Sequence, residues 1–96
     1  MANKVSASHI LVKTETEALA IMNDLRNQRK TFEQLAMEKS LCPSKKKGGS
    51  LGWFGRGMMV KEFENACLSS PVKKGQIIGP IKTQFGYHII KIEDIA

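Results

Sequence analysis

The segment FGYHIIKIEDI, residues 85–95, restricts the fold of this chain more than any other stretch. It is rich in isoleucine and carries two aromatic residues, the residue types that favour β-strands. In a strand, one face would carry Tyr87, Ile89 and Lys91 and the other His88, Ile90 and Ile92. The fold must therefore contain a sheet in which this segment is a strand.

The first half of the chain predicts another strand followed by two helices. Residues 4–13, KVSASHILVK, contain apolar and β-branched residues without Gly or Pro and predict a strand. Thr14 with Glu17, and Thr31 with Gln34, have the three-residue spacing of a capping box, so a helix should begin after each threonine. Pro43 limits the second helix, because the residue before a proline avoids helical geometry.

The second half predicts a strand, a helix and two further strands. SLGWFGRG, residues 50–57, favours a short strand, and MMVKEFENACLSS, residues 58–70, has apolar residues at helical spacing. QIIGPIKT, residues 76–83, favours a strand in which Gly79-Pro80 indicates an edge or a bulge. It would form a hairpin with the last strand. The order differs from the regular alternation of a parallel sheet, so we expect an α+β fold with helices on a small, mostly antiparallel sheet.

Length and composition indicate one globular domain, residues 1–96, with 42% hydrophobic and 25% charged residues. Without an apolar stretch of about 20 residues or the pattern of a signal peptide, we expect a cytoplasmic protein, and a monomer. Cys42 and Cys67 form no CxxC pair, and His9 and His88 lie near opposite ends of the chain. We therefore expect free thiols, no metal and no cofactor.

Five of the eight glycines lie in GGSLGWFGRG, residues 48–57. The stretch lacks the Gly-Lys-Ser/Thr of a P-loop and the GxGxxG of a dinucleotide site, so we do not expect it to hold phosphate. We expect these glycines to turn the lysine loop back over a site and to let the next strand and helix fit closely. Leu51, Trp53 and Phe54 would then lie beside the third helix, in the core or in an apolar pocket.

Polar residues point to a site at that pocket. If the first and last strands pair, the imidazoles of His9 and His88 can meet inside the sheet, where one nitrogen donates and the other accepts. Cys42 and Thr83 would lie within reach of the same apolar pocket. Such a group of polar side chains is unusual in a core and is typical of an active site.

Three separated segments carry a resemblance to a known family. SHILVK, LCPSKKKGGSLGWFGRGMMVKEFE and GPIKTQFGYHIIKI resemble, in order and spacing, the signature segments of the parvulins, which are small peptidyl-prolyl cis/trans isomerases. The resemblance covers nearly the whole chain. It implies a four-stranded, mostly antiparallel sheet with about four helices, including an extra helical turn near residues 40–43. It also implies proline-containing peptides and client proteins as partners. For that activity we expect a non-covalent mechanism, because a twisted amide is less dipolar than a planar one and is favoured by an apolar pocket.

The resemblance assigns roles to individual residues. It implies catalytic roles for His9, Cys42, Thr83 and His88. It implies substrate binding by Lys13, Leu51, Phe54, Met59, Phe63 and Phe85. The stretch TETEAL after the first strand is short and acidic, whereas some parvulins carry an arginine-rich, phosphate-selecting loop there. Leu41 also replaces an acidic residue of those members, so we expect no requirement for phosphoserine or phosphothreonine. Phe85 stands where they have a small polar residue, so we expect a more apolar edge of the pocket.

Two other functions are compatible with the residues. Cys42 with His9 or His88 could form a cysteine hydrolase, although Pro43 has no N–H for an oxyanion hole at its position. The net charge of +6 and the cluster Lys45, Lys46 and Lys47 could instead mark a basic module that binds nucleic acid, an anionic membrane surface or peptides with little catalysis.

Overall fold

The structure, a computed structural model, describes residues 3–69 and 71–96. Met1 and Ala2 of the predicted domain, and Ser70 of the predicted third helix, lie outside the described residues. The elements in chain order are β1 (Lys4–Val12), α1 (Glu15–Arg26), α2 (Phe32–Lys39), a 3-10 helix (Pro43–Lys47), β2 (Ser50–Gly55), α3 (Lys61–Leu68), β3 (Ile77–Thr83) and β4 (Gly86–Ile95). No helix among the described residues is long and apolar enough to cross a membrane.

The four strands form one antiparallel sheet in the order β2-β1-β4-β3. The first and last strands of the chain are therefore central and adjacent. The predicted hairpin of β3 and β4 is confirmed, and the register shifts between Ile78 and Ile81, where Gly79-Pro80 lie. The edge position and the bulge both suit a proline, because its missing N–H would otherwise interrupt the ladder. The predicted α+β fold is confirmed.

The two faces of the sheet pack against different helices. On one face, Ile10 and Ile89 contact the apolar sides of α1 and α2, including Ile21, Phe32 and Leu35. On the other, α3 covers a second core that comprises Val5, Ala7, Phe54, Phe63, Cys67, Leu68, Ile90 and Ile92. The central strands are thus buried on both sides, and the alternation predicted for β4 is confirmed.

Both predicted caps at the starts of helices are present. The Thr14 hydroxyl accepts from the backbone N–H of Glu17 at 3.2 Å. At α2, Thr31 accepts from the Gln34 N–H at 3.1 Å, while the Gln34 side chain accepts from the Thr31 N–H at 3.0 Å. These bonds satisfy N–H groups that the first turn of a helix leaves unpaired. Both helices therefore begin where the sequence predicts.

Two helix boundaries differ from the expectation. The third helix begins at Lys61, not at Met58: its first backbone bond runs from the Glu64 N–H to the Val60 carbonyl. The residues before it have side-chain contacts instead, from the Gly55 N–H to the Met58 sulfur and from the Gly57 N–H to the Glu64 carboxylate. The extra turn is a 3-10 helix over Pro43–Lys47, so it shares only Pro43 with the expected residues 40–43. Pro43 stands at its start, where a missing N–H costs nothing.

A bulge in β2 decides which side chains reach the α3 core. Ala7 pairs with Gly52 and Ser8 with Ser50, so Leu51 is an extra residue opposite β1. Gly52 adopts a φ of +74° at this point. Leu51 and Phe54, three residues apart, consequently pack on the same core. The expectation that Trp53 belongs to the core or the pocket is wrong. Its side chain points to the face of β2 opposite that of Phe54 and is 48% exposed.

The glycines of this stretch act mainly through conformation and, at Gly49, through close approach to another strand. A Cβ on Gly49 would lie 2.5 Å from the carbonyl oxygen of His9, so a side chain there cannot fit. A Cβ on Gly52 or Gly57 would meet nothing within 4 Å. The expectation that these two allow tight packing of strand on helix is therefore wrong, and their positive φ angles are the reason for glycine.

Candidate active site

An apolar cavity of about 430 Å³ opens beside the α3 face of the sheet. Nine of its lining residues are apolar: Leu11, Leu41, Pro43, Leu51, Met58, Met59, Val60, Phe63 and Phe85. The other three are His9, Cys42 and His88, and no charged side chain is among the twelve. A concave apolar site with a few polar groups is the usual form of a small-ligand or peptide site.

The sheet brings the two histidines together. His9 pairs with Ile90 and His88 with Leu11, so the imidazoles project from diagonal positions of the paired strands β1 and β4. Their Nδ1 atoms lie 2.9 Å apart, and the rings stack with centroids 5.1 Å apart. Phe63 of α3 packs its ring edge-to-face against both. His9 is 6% exposed and His88 4%, so the pair is held inside the protein.

We assign the direction of the hydrogen-bond chain through the pair from Thr83. Its hydroxyl oxygen accepts from the Phe85 N–H at 3.2 Å and lies 2.7 Å from His88 Nε2. With Nε2 as acceptor, the hydroxyl proton has a partner, and His88 donates its Nδ1 proton to His9 Nδ1. His9 then carries its proton on Nε2, a buried nitrogen without a partner among the described residues.

Burial keeps both imidazoles neutral near pH 7. Desolvation, with a smaller contribution from His88, lowers the pKa of His9 from 6.5 to about 4. Desolvation also lowers the pKa of His88, partly opposed by the negative charge of Glu62. A charged imidazole would lose its hydration in this site, so the neutral form is favoured.

Seven of the ten predicted site residues line the cavity: His9, Cys42, Leu51, Met59, Phe63, Phe85 and His88. Thr83 does not line the cavity, but its hydroxyl is hydrogen-bonded to His88. Phe54 is 1% exposed and supports Phe63 from behind, with ring centroids 5.7 Å apart, rather than forming the wall. Lys13 is exposed and is not among the lining residues.

Five lining residues were not identified from the sequence as site residues: Leu11, Leu41, Pro43, Met58 and Val60. Leu11 could have been found, because it follows His9 by two positions on the same strand face. Met58 and Val60 are not predicted because, on a helix, the neighbours of Met59 would point away from the cavity, whereas this segment is irregular. Leu41 and Met58 are more than half exposed, as is Phe85, so these three form an apolar rim around the cavity.

A second cavity, of about 460 Å³, lies where α1 and α2 meet the sheet. Its lining includes the charged residues Arg29, Lys30, Glu33 and Lys91, and it contains none of the predicted site residues. The predicted site residues therefore lie at the cavity beside α3 and not at this one.

Comparison with known proteins agrees with this architecture. The family model described as the rotamase, or PPIC-type PPIase, domain matches residues 4–94. The fold is thus that of a rotamase domain. The chain belongs to the PPIC-type, or parvulin, family of peptidyl-prolyl isomerases.

Individual relatives show two different contexts for this domain. The foldase protein PrsA 1 of Bacillus cereus is 50% identical over 93 residues, which are 96% of this chain and 32% of that protein. The crystal structure of PrsA from Bacillus anthracis has a TM-score of 0.90 at 43% identity, over 99% of this chain and 43% of the other. NmPin, the parvuline of Nitrosopumilus maritimus, is 48% identical with a TM-score of 0.82, over 97% and 98% of the two chains. This chain spans about a third of the length of the curated relatives that it matches.

Proposed function

We propose that this domain accelerates cis/trans isomerisation of X–Pro bonds in peptides and in flexible segments of client proteins, without requiring phosphorylation. The observation that carries the proposal is the apolar cavity that ends on a buried, hydrogen-bonded histidine pair. Leu51, Met59 and Phe63 would enclose the proline ring while the flanking peptide turns.

The apolar lining supports a mechanism without covalent chemistry. Uncatalysed rotation takes tens to hundreds of seconds, and reaching about 100 turnovers per second requires about 5–6 kcal/mol of transition-state stabilisation. A twisted amide loses resonance, so its carbonyl is less dipolar than that of the planar amide. A cavity without charged side chains therefore favours the twisted state over the ground state. Cys42 and His9 are the polar groups against which we place the carbonyl.

The histidine geometry argues against the hydrolase alternative. Both nitrogens of His88 are engaged, by His9 and by Thr83. Among the described residues, neither histidine forms a hydrogen bond with Cys42, although a nucleophilic cysteine needs a base within reach. We therefore assign Cys42 to the wall of the cavity, as a polar neighbour of the substrate.

The connection between β1 and α1 supports independence from phosphate. Only residues 13 and 14 separate the two elements, which leaves no loop to carry a cluster of arginines. The first turn of α1 contains Glu15 and Glu17, which would repel a phosphate group. At the cavity itself, the exposed rim of Leu41, Met58 and Phe85 favours apolar residues next to the proline.

NMR exchange spectroscopy on a series of X–Pro peptides tests the proposal. The residue X should vary across leucine, lysine, glutamate and phosphoserine at constant flanking sequence. We expect faster exchange for the leucine peptide than for the phosphoserine peptide. No acceleration with any peptide would refute isomerase activity, and the fastest exchange with phosphoserine would refute the inference from the β1–α1 connection and the apolar rim.

A further inference from the structure

The wall of the cavity nearest α3 is built from an irregular segment, residues 56–60, called here the wall segment. It joins β2 to α3 and supplies Met58, Met59 and Val60 to the lining. It forms neither helix nor strand, so no ladder of backbone hydrogen bonds holds it in place. Its position must come from other contacts.

Glu64 makes the main polar contact to the wall segment. Its Oε1 accepts the backbone N–H of Gly57 at 2.5 Å, and its Oε2 lies 3.5 Å from Nη1 of Arg56. The Glu64 side chain is only 16% exposed, whereas Arg56 and Gly57 lie at the surface, so the contact joins a half-buried carboxylate to an exposed part of the wall segment. Hydrogen bonds that involve a charged group are stronger than neutral ones, and partial burial strengthens them further.

Arg56 links the same segment to the far end of α3. Its Nη2 donates to the carbonyl oxygen of Leu68 at 3.1 Å, and its Nη1 to the Ser69 hydroxyl at 3.3 Å. The guanidinium thus satisfies a carbonyl that the last turn of the helix leaves free. Arg56 and Glu64 together attach the wall segment along the length of α3.

In the part of the chain that the structure describes, no side chain caps the start of α3. Val60 occupies the cap position and makes no side-chain hydrogen bond to the helix. Among the described residues, the segment otherwise has the backbone bond from the Glu64 N–H to the Val60 carbonyl at 2.9 Å, which begins α3, and the 3.4 Å bond from the Gly55 N–H to the Met58 sulfur. Thioether sulfur is a weak acceptor, so this bond alone would hold the segment poorly.

We propose that Glu64, oriented by Arg56, is a positioning residue that fixes the wall segment so that Met58 and Met59 form one side of the proline cavity. It touches no substrate and acts through the segment that does. The inference rests on the proposed function only for its consequence in substrate binding, because the placement of the methionines can be measured without any peptide.

Methionine methyl NMR and peptide binding test this role in Glu64→Ala and Glu64→Gln. In Glu64→Ala we expect the methyl signals of Met58 and Met59 to shift and those of Met22 and Met37, on α1 and α2, to stay in place. We expect binding of a Leu-Pro peptide to weaken about 10-fold, with kcat at saturating peptide within about 3-fold of wild type. Glu64→Gln keeps an oxygen that can accept from the Gly57 N–H. Its peptide affinity and its kcat should both remain within about 3-fold of wild type.

Thr31→Ala provides a control for lowered stability, since it removes the cap of α2 on the opposite side of the sheet. It should leave the Met58 and Met59 signals and peptide affinity unchanged. Unchanged Met58 and Met59 signals in Glu64→Ala would overturn the proposal, as would equal losses of affinity in Glu64→Ala and Thr31→Ala. If wild type catalyses no isomerisation, the proposed function fails, while the methyl shifts still decide the role of Glu64.

Discussion

The Nδ1 atoms of His9 and His88 lie 2.9 Å apart, although 79 positions separate the two residues in the chain. They meet because the first and last strands are neighbours at the centre of the sheet. A single chain of hydrogen bonds runs from the Phe85 N–H through Thr83 and His88 to His9. The properties of this chain are testable one residue at a time.

Acid should destabilise the protein through His9. Its pKa is 6.5 in the unfolded chain and about 4 in the folded protein, so the unfolded state binds more protons between these values. Stability is therefore full above pH 6.5 and falls as the pH drops towards 4. At about 1.4 kcal/mol per tenfold change in proton affinity, the loss from His9 is about 3 kcal/mol. Urea unfolding between pH 4 and pH 7.5 measures the total loss, to which His88 adds because burial also lowers its pKa. A His9 imidazole that titrates near pH 6.5 by NMR in the folded protein would contradict the prediction.

Thr83→Val should cost about 2–4 kcal/mol of unfolding free energy, measured with urea at pH 7.5. Valine has the shape of threonine, but it leaves the Phe85 N–H and His88 Nε2 without their partner in a buried site. Thr83→Ser keeps the hydroxyl and should lose no more than about 1 kcal/mol. Equal losses in the two variants would show that the methyl group, rather than the hydrogen bonds, matters.

Cys42→Ala should retain isomerase activity within about 10-fold of wild type, because we assign the thiol to the cavity wall rather than to bond formation. Cys42→Ser, which keeps a polar group, should lie closer to wild type. NMR exchange with a Leu-Pro peptide measures both. A loss of about 1000-fold in both variants, with a covalent adduct trapped on wild type by an activated ester, would instead support a nucleophilic cysteine.

Gly49→Ala should destabilise the fold by at least about 2–4 kcal/mol. Gly49 has a φ of +90°, and a methyl group there would meet the His9 carbonyl oxygen, on the strand that carries the site. Gly75→Ala is the matched control: its φ is +87°, yet a Cβ meets nothing within 4 Å, so it should cost about 1–2 kcal/mol. Thermal or urea unfolding of both variants separates the effect of close approach from that of backbone strain. Equal losses of unfolding free energy would show that the contact with the His9 carbonyl oxygen does not contribute.

Local patterns were enough for the elements and for their order. The threonine caps of α1 and α2, the apolar faces of β4 and the proline in β3 act over a few residues, so the sequence shows them directly. The start of α3 was misplaced because Met59 and Phe63 have helical spacing. The spacing does not show the hydrogen bond from the Gly57 N–H to the Glu64 carboxylate, because these residues are seven positions apart and are not part of the apolar pattern.

By itself the sequence determined the α+β class, the element order and, through three family-like segments, most of the residues around the cavity. The tertiary structure decided which of them share a surface. A one-residue bulge at Leu51 places Leu51 and Phe54 on one core and leaves Trp53 exposed, because an extra residue reverses the alternation of a strand. The pairing of β1 with β4 likewise makes two distant histidines into one buried, neutral pair, since desolvation and mutual hydrogen bonding exist only after the strands meet.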